Sequence, residues 1–321
     1  MVDPITLDDL DRALAHALQV DGRAPFSRIG EVLGASDRTI ARRYHRLRSS
    51  GALRVVGLPD AAAIGHVDWL VRLRCPPDAA VPVSAALARR PDTSWITVLS
   101  GGTEITCITR TRAQSEDGEL LLQQLPRTTR VTAVSAHCML RSVAGVNGWP
   151  GRVSALTAEQ IAALRPVSVR PAPARLTAGD RELFAVLAKD GRAGHAALAA
   201  ATRWSESTVR RRLDELRHGG VLYFDVDVKP ALFGYHAEAM LWLTVAPSAL
   251  TAVTRALAGH PQIGYAAAIT GPANIAATVI CHDLDELYDY LAGDIGALPG
   301  ITAAETAPVV RLVKAAGALL F

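Results

Sequence analysis

The sequence contains few cysteines and none at metal-binding spacing. Only four occur in 321 residues, scattered singly and without a CxxC pair. Neither a disulfide framework nor a zinc site is predicted, and reduced, buried thiols in a cytoplasmic protein are the simplest interpretation. No Ser/His/Asp constellation, metal-ligand spacing or phosphate-cradling loop is found either. We therefore predict no catalytic residue, no metal, no cofactor and no enzymatic activity.

Long apolar runs are also missing. The most apolar window, residues 265–280, is interrupted by Gly271, Pro272 and Asn274. It is shorter than the ~20 residues that a membrane-spanning helix needs. The N-terminal residues are acidic and lack the basic start and apolar stretch of a secretory signal. We expect a protein that is neither exported nor inserted in a membrane.

A strong excess of one charge is absent as well. The formal net charge is +3, from 34 Lys and Arg against 31 Asp and Glu. A nucleic-acid surface would therefore have to come from local clustering of basic residues. Two segments show such clustering, TIARRYHRLRSSG at 39–51 and TVRRRLDELRHGG at 208–220.

These two segments belong to a repeat that runs through the chain. Aligning residues 21–24 (DGRA) with residues 190–193 (DGRA) sets an offset of 169 residues, which holds without a gap as far as Gly65 and Gly234. One residue is then inserted, and the match continues more loosely. The second half is thus predicted to be a diverged copy of the first. A proline-rich stretch at 166–175 is typical of an extended linker, and Thr157 can cap a short helix before it.

Each half begins with a pattern of three short helices. In the first half, leucines at helical spacing predict a helix that ends near Asp21, and a second helix ends at Gly34. Ser36 can cap a third helix, in which Ile40, Tyr44 and Leu47 share one face. This order, with a glycine-containing turn before the last helix, is that of a helix-turn-helix. At about 100° per residue, the arginines point away from the apolar face.

An arginine-rich helix face is often only a solvated surface, but such faces usually mix charges of both signs. The stretch from Ser36 to Arg48 holds five arginines and one acid, Asp37, directly after a hydroxyl cap. This pattern favours DNA reading, with phosphates near the helix start. The predicted DNA-binding residues are Ser36, Arg38, Thr39, Arg42, Arg43, Arg46, Ser205, Ser207, Thr208, Arg211 and Arg212.

The second copy is less basic than the first. Asp214 and Glu215 stand where the first copy has His45 and Arg46, and an arginine replaces the turn glycine. Two alternatives follow, namely that the copies read different bases or that the second binds more weakly.

After each three-helix unit the apolar period changes from helical to strand-like. The second half reads as strand, helix, strand, strand, helix, strand, and the first half follows the same order. Such a βαββαβ unit forms a four-stranded antiparallel sheet with both helices on one face, so the other face needs a partner such as a second sheet. The predicted class is α+β, with two winged-type helix-turn-helix domains and two ferredoxin-like βαββαβ domains in tandem. The predicted segments are 1–65, 66–145, 146–175 (linker), 176–235 and 236–321.

The pattern of residues 176–222 (Leu176 to Leu222) resembles the DNA-binding domain of the Lrp/AsnC (leucine-responsive/AsnC) family of transcription regulators over about 45 residues. The βαββαβ units are similar to the family's ligand-sensing and oligomerising domain. The resemblance implies a sequence-specific binder of double-stranded DNA that self-associates through its sensor domains. It also implies a small-molecule effector, such as an amino acid or a related metabolite.

The resemblance further implies an effector site around the glycine-containing turn between the second and third sensor strands. The matching residues are Ser100, Gly101, Gly102, Thr103, Thr270, Gly271, Pro272 and Asn274. Both turns depart from the family's Thr-Gly-Asp pattern, which puts an amino-acid ligand in question. The alternative is that both are ordinary hairpin turns.

Other functions on the same scaffold must be weighed. Siroheme decarboxylases also resemble paired Lrp/AsnC-type halves, but their Arg-Arg-Phe-Gly…His stretch has no match here beyond His66 and His236. A nonspecific DNA-organising protein is the third alternative. Because one chain carries two copies, it is predicted to mimic a homodimer as an intramolecular pseudo-dimer.

Overall fold

The computed structural model describes residues 6–112, 130–145, 155–166 and 176–316. The chain forms two compact units, one from residues 1–64 with 147–234 and the other from residues 65–146 with 235–321. The two helix-turn-helix repeats therefore share one unit, and the two sensor repeats share the other. The βαββαβ order predicts a second helix for the first sensor repeat at 116–126, and this segment lies outside the described residues. Nearly all of the proline-rich stretch lies outside them as well.

The helices and strands follow the order predicted from the repeat. The helices are α1 (Asp9–Val20), α2 (Phe26–Leu33), α3 (Asp37–Ser49), α4 (Ala80–Ala88), α5 (Ala158–Leu164), α6 (Ala178–Leu187), α7 (His195–Thr202), α8 (Glu206–His218), α9 (Leu250–Leu257) and α10 (Leu284–Tyr290). The strands are β1 (Leu53–Pro59), β2 (His66–Arg74), β3 (Thr93–Leu99), β4 (Glu104–Arg112), β5 (Ala133–Ala144), β6 (Leu222–Val228), β7 (Ala237–Val245), β8 (Ile263–Ile269), β9 (Ile275–Cys281) and β10 (Ile301–Lys314). The α+β class is confirmed.

The helix-turn-helix repeats form as their sequences predict. The buried residues of α3 are Ile40, Tyr44 and Leu47, the three that share the predicted apolar face. A left-handed backbone ends α2 at Gly34, where φ is +66°. Arg203, its equivalent in the second repeat, has the same conformation with φ +60°. The turn geometry is thus kept in both repeats, at a cost for the non-glycine residue.

The strand after the third helix of each helix-turn-helix repeat pairs with the equivalent strand of the other repeat. Strand β1 runs antiparallel to β6, and the register is symmetric about the central pair Val56–Asp225. Because Asp225 is the repeat equivalent of Val56, the two domains are related by a pseudo-twofold axis at this point. The sequence did not predict this pairing between strands of the two repeats, because the apolar pattern of a strand does not show which strand it will hydrogen-bond.

The short helix α5 is confirmed and packs on the first helix-turn-helix repeat. Thr157 and Gln160 form the predicted capping box. Leu164 is fully buried. The Arg28 guanidinium donates to the Ala163 carbonyl, with 3.0 Å from Nε, and the Gln160 amide donates to the Val32 carbonyl at 3.1 Å. Helix α5, which lies within the predicted linker at 146–175, therefore contacts the first helix-turn-helix repeat.

In the second unit eight strands form one closed sheet, in the order β10-β3-β4-β2-β5-β8-β9-β7. The last strand of each sensor repeat is long and changes partner along its length. Strand β5 pairs first with β2 and then with β8. Strand β10 pairs first with β7 and then with β3. The sequence predicted two sheets facing each other, whereas these two strands join them by backbone hydrogen bonds.

Apolar side chains of the two sensor repeats form separate cores against their helices. The larger core contains Leu241, Leu243, Val253 and Ile275 from the second repeat, and the corresponding core of the first includes Val71 and Leu73. A smaller apolar cluster around Trp242 includes Leu70 of the first repeat. Within the described residues no helix is long and apolar enough to cross a membrane.

Candidate DNA-binding surface and sensor turns

The recognition helices α3 and α8 present unequal outward faces. The exposed residues opposite the apolar face are Arg38, Arg42, His45 and Ser49 on α3 and Ser207, Arg211, Asp214 and His218 on α8. The guanidinium groups of Arg38 and Arg42 form no ion pair with the described residues. They are therefore available to DNA phosphates and base edges, which arginine binds well.

Three of the predicted DNA-binding arginines instead contact carboxylates at the first helix of their own domains. Arg43 pairs with Asp8 at 2.6 Å and with Asp11 at 3.0 Å, and Arg46 also pairs with Asp11. In the second repeat Arg212 donates from Nε and Nη2 to Asp180, at 2.8 Å each. These ion pairs fasten each recognition helix to the first helix of its domain. A direct role of these three arginines in DNA binding stays a prediction.

The predicted hydroxyl caps hold the starts of both recognition helices. Ser36 Oγ accepts from the Thr39 amide at 3.1 Å, and Ser205 Oγ accepts from the Thr208 amide at 3.1 Å. Each serine also hydrogen-bonds the threonine hydroxyl at 2.8 Å. The caps confirm where the helices begin, and the remaining free amides at each start can face a phosphate.

We predict that acid weakens the DNA-binding unit through Asp180. Burial would raise the pKa of this carboxyl, but hydrogen bonds from Arg212 and Thr177 outweigh burial and hold the pKa below its usual value. Its stabilising effect is present above the unfolded pKa of about 3.9 and is lost as pH falls through the folded pKa. At pH 7, Asp180→Asn should cost about 3 kcal/mol, because it leaves Arg212 without its buried carboxylate.

Thermal melts at pH 7, 4 and 3 measure this effect. The difference between the wild type and Asp180→Asn should shrink as the pH falls. The control is Asp9→Asn, an exposed first-turn residue of α1, which should leave the melting temperature nearly unchanged. A pH-independent difference for Asp180→Asn would contradict the assignment.

The Asp-Gly-Arg motif of each repeat holds the two DNA-binding domains together. Arg23 donates to the carbonyl of Gly191 at 2.7 Å and to that of Ala193 at 3.1 Å. Arg192 returns the contact, to Gly22 at 2.8 Å and Ala24 at 2.9 Å. Sequence reasoning used this motif only to set the repeat offset. The motif recurs in both repeats but has no role within the helices. This recurrence is the sequence feature that could have indicated an interface.

A second reciprocal contact joins the end of each recognition helix to the other repeat. Arg48 pairs with Asp190 at 2.9 Å, and Arg217 pairs with Asp21 at 2.9 Å. Arg217 and Arg23 also lie over the ring of Phe224, at 5.4 and 5.8 Å from its centroid. Such an isologous arrangement is that of a C2 dimer, here contained in one chain.

The first predicted effector turn is strained. Ser100 has a left-handed φ of +51°, and Gly101 and Gly102 have φ of +67° and +91°. The Thr103 hydroxyl donates to the Ser100 carbonyl at 2.8 Å. A left-handed non-glycine residue is rare and is often retained at functional sites, which agrees with an effector role without testing it.

The second predicted effector turn is hydrogen-bonded to the neighbouring strands. Thr270 bonds to Cys138 in both directions, through its amide at 3.0 Å and its hydroxyl at 2.9 Å. The Asn274 amide pairs with the backbone of Val245 at 2.7 and 2.9 Å. A Cβ on Gly271 would lie 2.5 Å from His137 Nδ1, so this position also requires glycine for space. The Thr270–Cys138 bonds join the two sensor repeats, whereas those of Asn274 lie within the second repeat. Ligand contact by this turn stays a prediction.

A cavity of about 510 Å³ lies elsewhere in the second sensor repeat. Its lining includes His260, Glu286, Asp289 and Asp294, and none of the predicted effector residues. His260 Nδ1 lies 2.9 Å from the Tyr290 hydroxyl. Among the described residues, no group of three or more His, Cys, Asp or Glu side chains is placed to hold a metal.

The histidines considered for a tetrapyrrole enzyme are at strand entrances. His66 begins β2, and His236 precedes β7, where its amide donates to the His282 carbonyl at 3.0 Å. The His236 side chain is exposed.

Comparison with protein families agrees with this architecture. The sequence profile of the AsnC-type helix-turn-helix domain matches residues 7–48 and again residues 176–217. The profile of the Lrp/AsnC ligand-binding domain matches residues 238–319. The profiles thus recognise both copies of the helix-turn-helix domain and the second copy of the sensor domain.

Individual relatives are about as long as one copy. An uncharacterised HTH-type transcriptional regulator of Pyrococcus abyssi is 28% identical over 136 residues, which cover 42% of this chain and 86% of that protein. The HTH-type transcriptional regulator LrpA1 of Halobacterium salinarum is 29% identical over 126 residues, 39% of this chain and 89% of that protein. Each relative thus matches less than half of this chain.

A solved structure matches the whole length. The siroheme decarboxylase NirDL superposes with a TM-score of 0.65 at 15% identity, covering 98% of this chain and 94% of that chain. At this identity the likeness concerns the fold alone. It shows that the tandem arrangement of both kinds of domain occurs in another protein.

Proposed function

This chain belongs to the Lrp/AsnC family of transcription regulators, and we propose that it binds operator DNA with two recognition helices carried by one chain. The reciprocal pairing of the two helix-turn-helix repeats carries the proposal. One polypeptide thereby supplies two paired DNA-binding domains, here called heads. Dimeric helix-turn-helix proteins place such a pair on two half-sites. The linear segments at 1–65 and 176–235 are the proposed heads.

In this function the outward arginines Arg38 and Arg42 contact bases and phosphates. Ser36 and Ser205 cap the N-termini of α3 and α8, and these N-termini lie near the DNA phosphate backbone in the proposed complex. Arg43 and Arg212 act mainly by orienting the helices through their carboxylate partners.

A gel-shift on genomic fragments under competitor DNA tests the proposal. A specific regulator retains a few fragments, whereas a nonspecific DNA-organising protein retains none preferentially. Affinity should fall steeply with salt in either case, because arginines displace condensed counterions. Failure to shift any fragment at low salt would reject the DNA-binding function.

The sensor unit is proposed to bind a small-molecule effector that alters DNA affinity or assembly. The ligand-binding domain matched at 238–319 supports this role. The proposed contacts are with the turns at 100–103 and 270–274. Thermal-shift screening of metabolites, including amino acids, followed by gel-shifts with each hit, would identify the effector.

We predict that the smallest complex with one operator contains a single chain of 34.0 kDa. The reason is that both heads and both sensor repeats already pair within the chain. Native mass spectrometry of the DNA complex at high dilution measures the number of chains. Complexes that contain only even numbers of chains would contradict the pseudo-dimer. Further association through the sensor domains is expected at higher concentration.

We propose that the chain is not a tetrapyrrole decarboxylase, although NirDL shares its fold. Support comes from the outward arginines on α3 and from the absence of an Arg-Arg-Phe-Gly stretch before His66 and His236 in the sequence. Incubation of the purified protein with siroheme tests this directly. A stable visible absorption band together with a decarboxylated product would overturn it.

A further inference from the structure

The two DNA-binding heads are held as a fixed pair but differ at the positions that face outward. Both belong to one compact unit and are joined by β1 and β6 and by the reciprocal Asp–Arg contacts. Any difference between them is therefore presented to one DNA molecule at the same time. The question is which outward residues differ and what bases they suit.

The largest reversal of charge between the two heads is at two consecutive positions. Asp214 and Glu215 on α8 replace His45 and Arg46 on α3, and all four are exposed. Helix α3 therefore carries five arginines against one acid, whereas α8 carries four arginines against three acids. Of the other outward positions, Arg42 and Arg211 match, whereas Ser207 stands where α3 has Arg38 and His218 stands where α3 has Ser49.

The change reverses the electrostatic surroundings of the outward arginine. On α8, Glu215 pairs with Arg211 at 3.2 Å and with Arg212 at 3.0 Å. On α3, Arg46 at the same position pairs with the buried Asp11 and leaves Arg42 without a carboxylate. The exposed pair on α8 adds little stability. It does hold Arg211 in place, and its carboxylate repels phosphate.

Asp214 suits a particular base. Carboxylates accept a hydrogen bond from the N4 amino group of cytosine in the major groove, whereas arginine pairs with guanine O6 and N7. A carboxylate that faces guanine or thymine acceptors loses its water without gaining a donor. At this position the wrong base should lower affinity about 5- to 100-fold.

We propose that this chain reads a non-palindromic operator, in which α3 contacts a guanine-containing half-site through Arg38 and Arg42 and α8 contacts a cytosine through Asp214. This inference rests on the proposed DNA-binding function. Asp214 acts as the residue that determines specificity in the second half-site. The first head releases most of the counterions from the DNA and so contributes most of the salt-dependent affinity. The second head contributes discrimination between bases.

Selection of bound sequences from a randomised duplex library with the full chain tests the proposal. The wild type should enrich two unlike half-sites, one of them with a fixed cytosine. The double variant Asp214→His/Glu215→Arg introduces the side chains of the first head at these two positions and leaves Ser207, the equivalent of Arg38, unchanged. It should lose the preference for the fixed cytosine, and the slope of log K against the logarithm of the salt concentration should steepen by about one.

A single variant covers the case in which the double variant fails to fold. Asp214→Asn keeps the size of the side chain and should change the preferred base from cytosine to adenine, since the asparagine amide pairs with adenine N6 and N7. The control is Asp289→Asn, an exposed carboxylate on α10 of the sensor unit, which should leave the selected sequence unchanged.

Each outcome separates the inference from the proposed function. An inverted repeat selected by the wild type would overturn the asymmetric operator while leaving DNA binding intact. An unchanged consensus for Asp214→Asn would remove Asp214 from base reading. A wild type that enriches no sequence and binds no duplex would instead overturn the proposed function.

Discussion

Replacing Arg38 and Arg42 together by alanine should lower the affinity for operator DNA by about 100-fold or more. Both guanidinium groups lie on the exposed face of α3 and form no ion pair with described residues. Each lost base or phosphate contact costs about 1 to 3 kcal/mol, and the second head cannot compensate because its outward arginine is paired with Glu215. The fold should be unaffected, since neither residue contacts the buried face of Ile40, Tyr44 and Leu47.

Binding is measured by fluorescence anisotropy at fixed salt, and folding by circular dichroism and thermal melts. The matched control is Arg89→Ala with Arg255→Ala, which removes the same charge from exposed positions of the sensor unit. This control should lose little affinity, because it changes only the net charge. Equal affinities for the α3 variant and the wild type would remove the first head from the DNA interface.

Gly191→Ala should separate the two heads and lower the melting temperature by about 3 to 10 °C. The Gly191 amide donates to the Val55 carbonyl at 2.8 Å, in the centre of the reciprocal contact. A Cβ at this position would lie 2.8 Å from the carbonyl carbon of Val56 and 3.0 Å from the Gly57 nitrogen. These are backbone atoms of β1, so the strand or the whole repeat must shift. Operator affinity should then fall, since the heads are no longer held together.

Gly194→Ala is the control, three residues further along the same segment. A Cβ there meets no atom within 4 Å, so only a small change at the start of α7 is expected. Calorimetry and anisotropy on both variants measure the two effects. A Gly191→Ala protein that melts and binds like Gly194→Ala would show that the interface does not depend on this close approach.

Much of the local structure follows from the sequence. Apolar spacing identified the buried faces of α3 and α8, and hydroxyl residues before them identified the caps that Ser36 and Ser205 form. The α5 helix was recognisable from its capping box. These features depend on contacts within about four residues, which a single sequence displays directly.

Pairing between distant segments was less visible. The change of partner along β5 and β10 depends on strand length and register, and neither has a signal in apolar alternation. The same holds for the roles of Arg43 and Arg212. On the helix surface they look like the other arginines, and only their distances to Asp11 and Asp180 reveal that they fasten the helices.

By itself, the sequence determined the duplication, the helix-turn-helix and βαββαβ order, and the outward arginines, because repeat offset, period and capping are properties of neighbouring residues. The tertiary structure decided which arginines remain available to DNA and which hold the fold. It also decided that equivalent repeats pair with each other. These outcomes depend on carboxylates and carbonyls that lie between 32 and 170 positions away along the chain, and only the folded chain brings such groups within hydrogen-bonding distance.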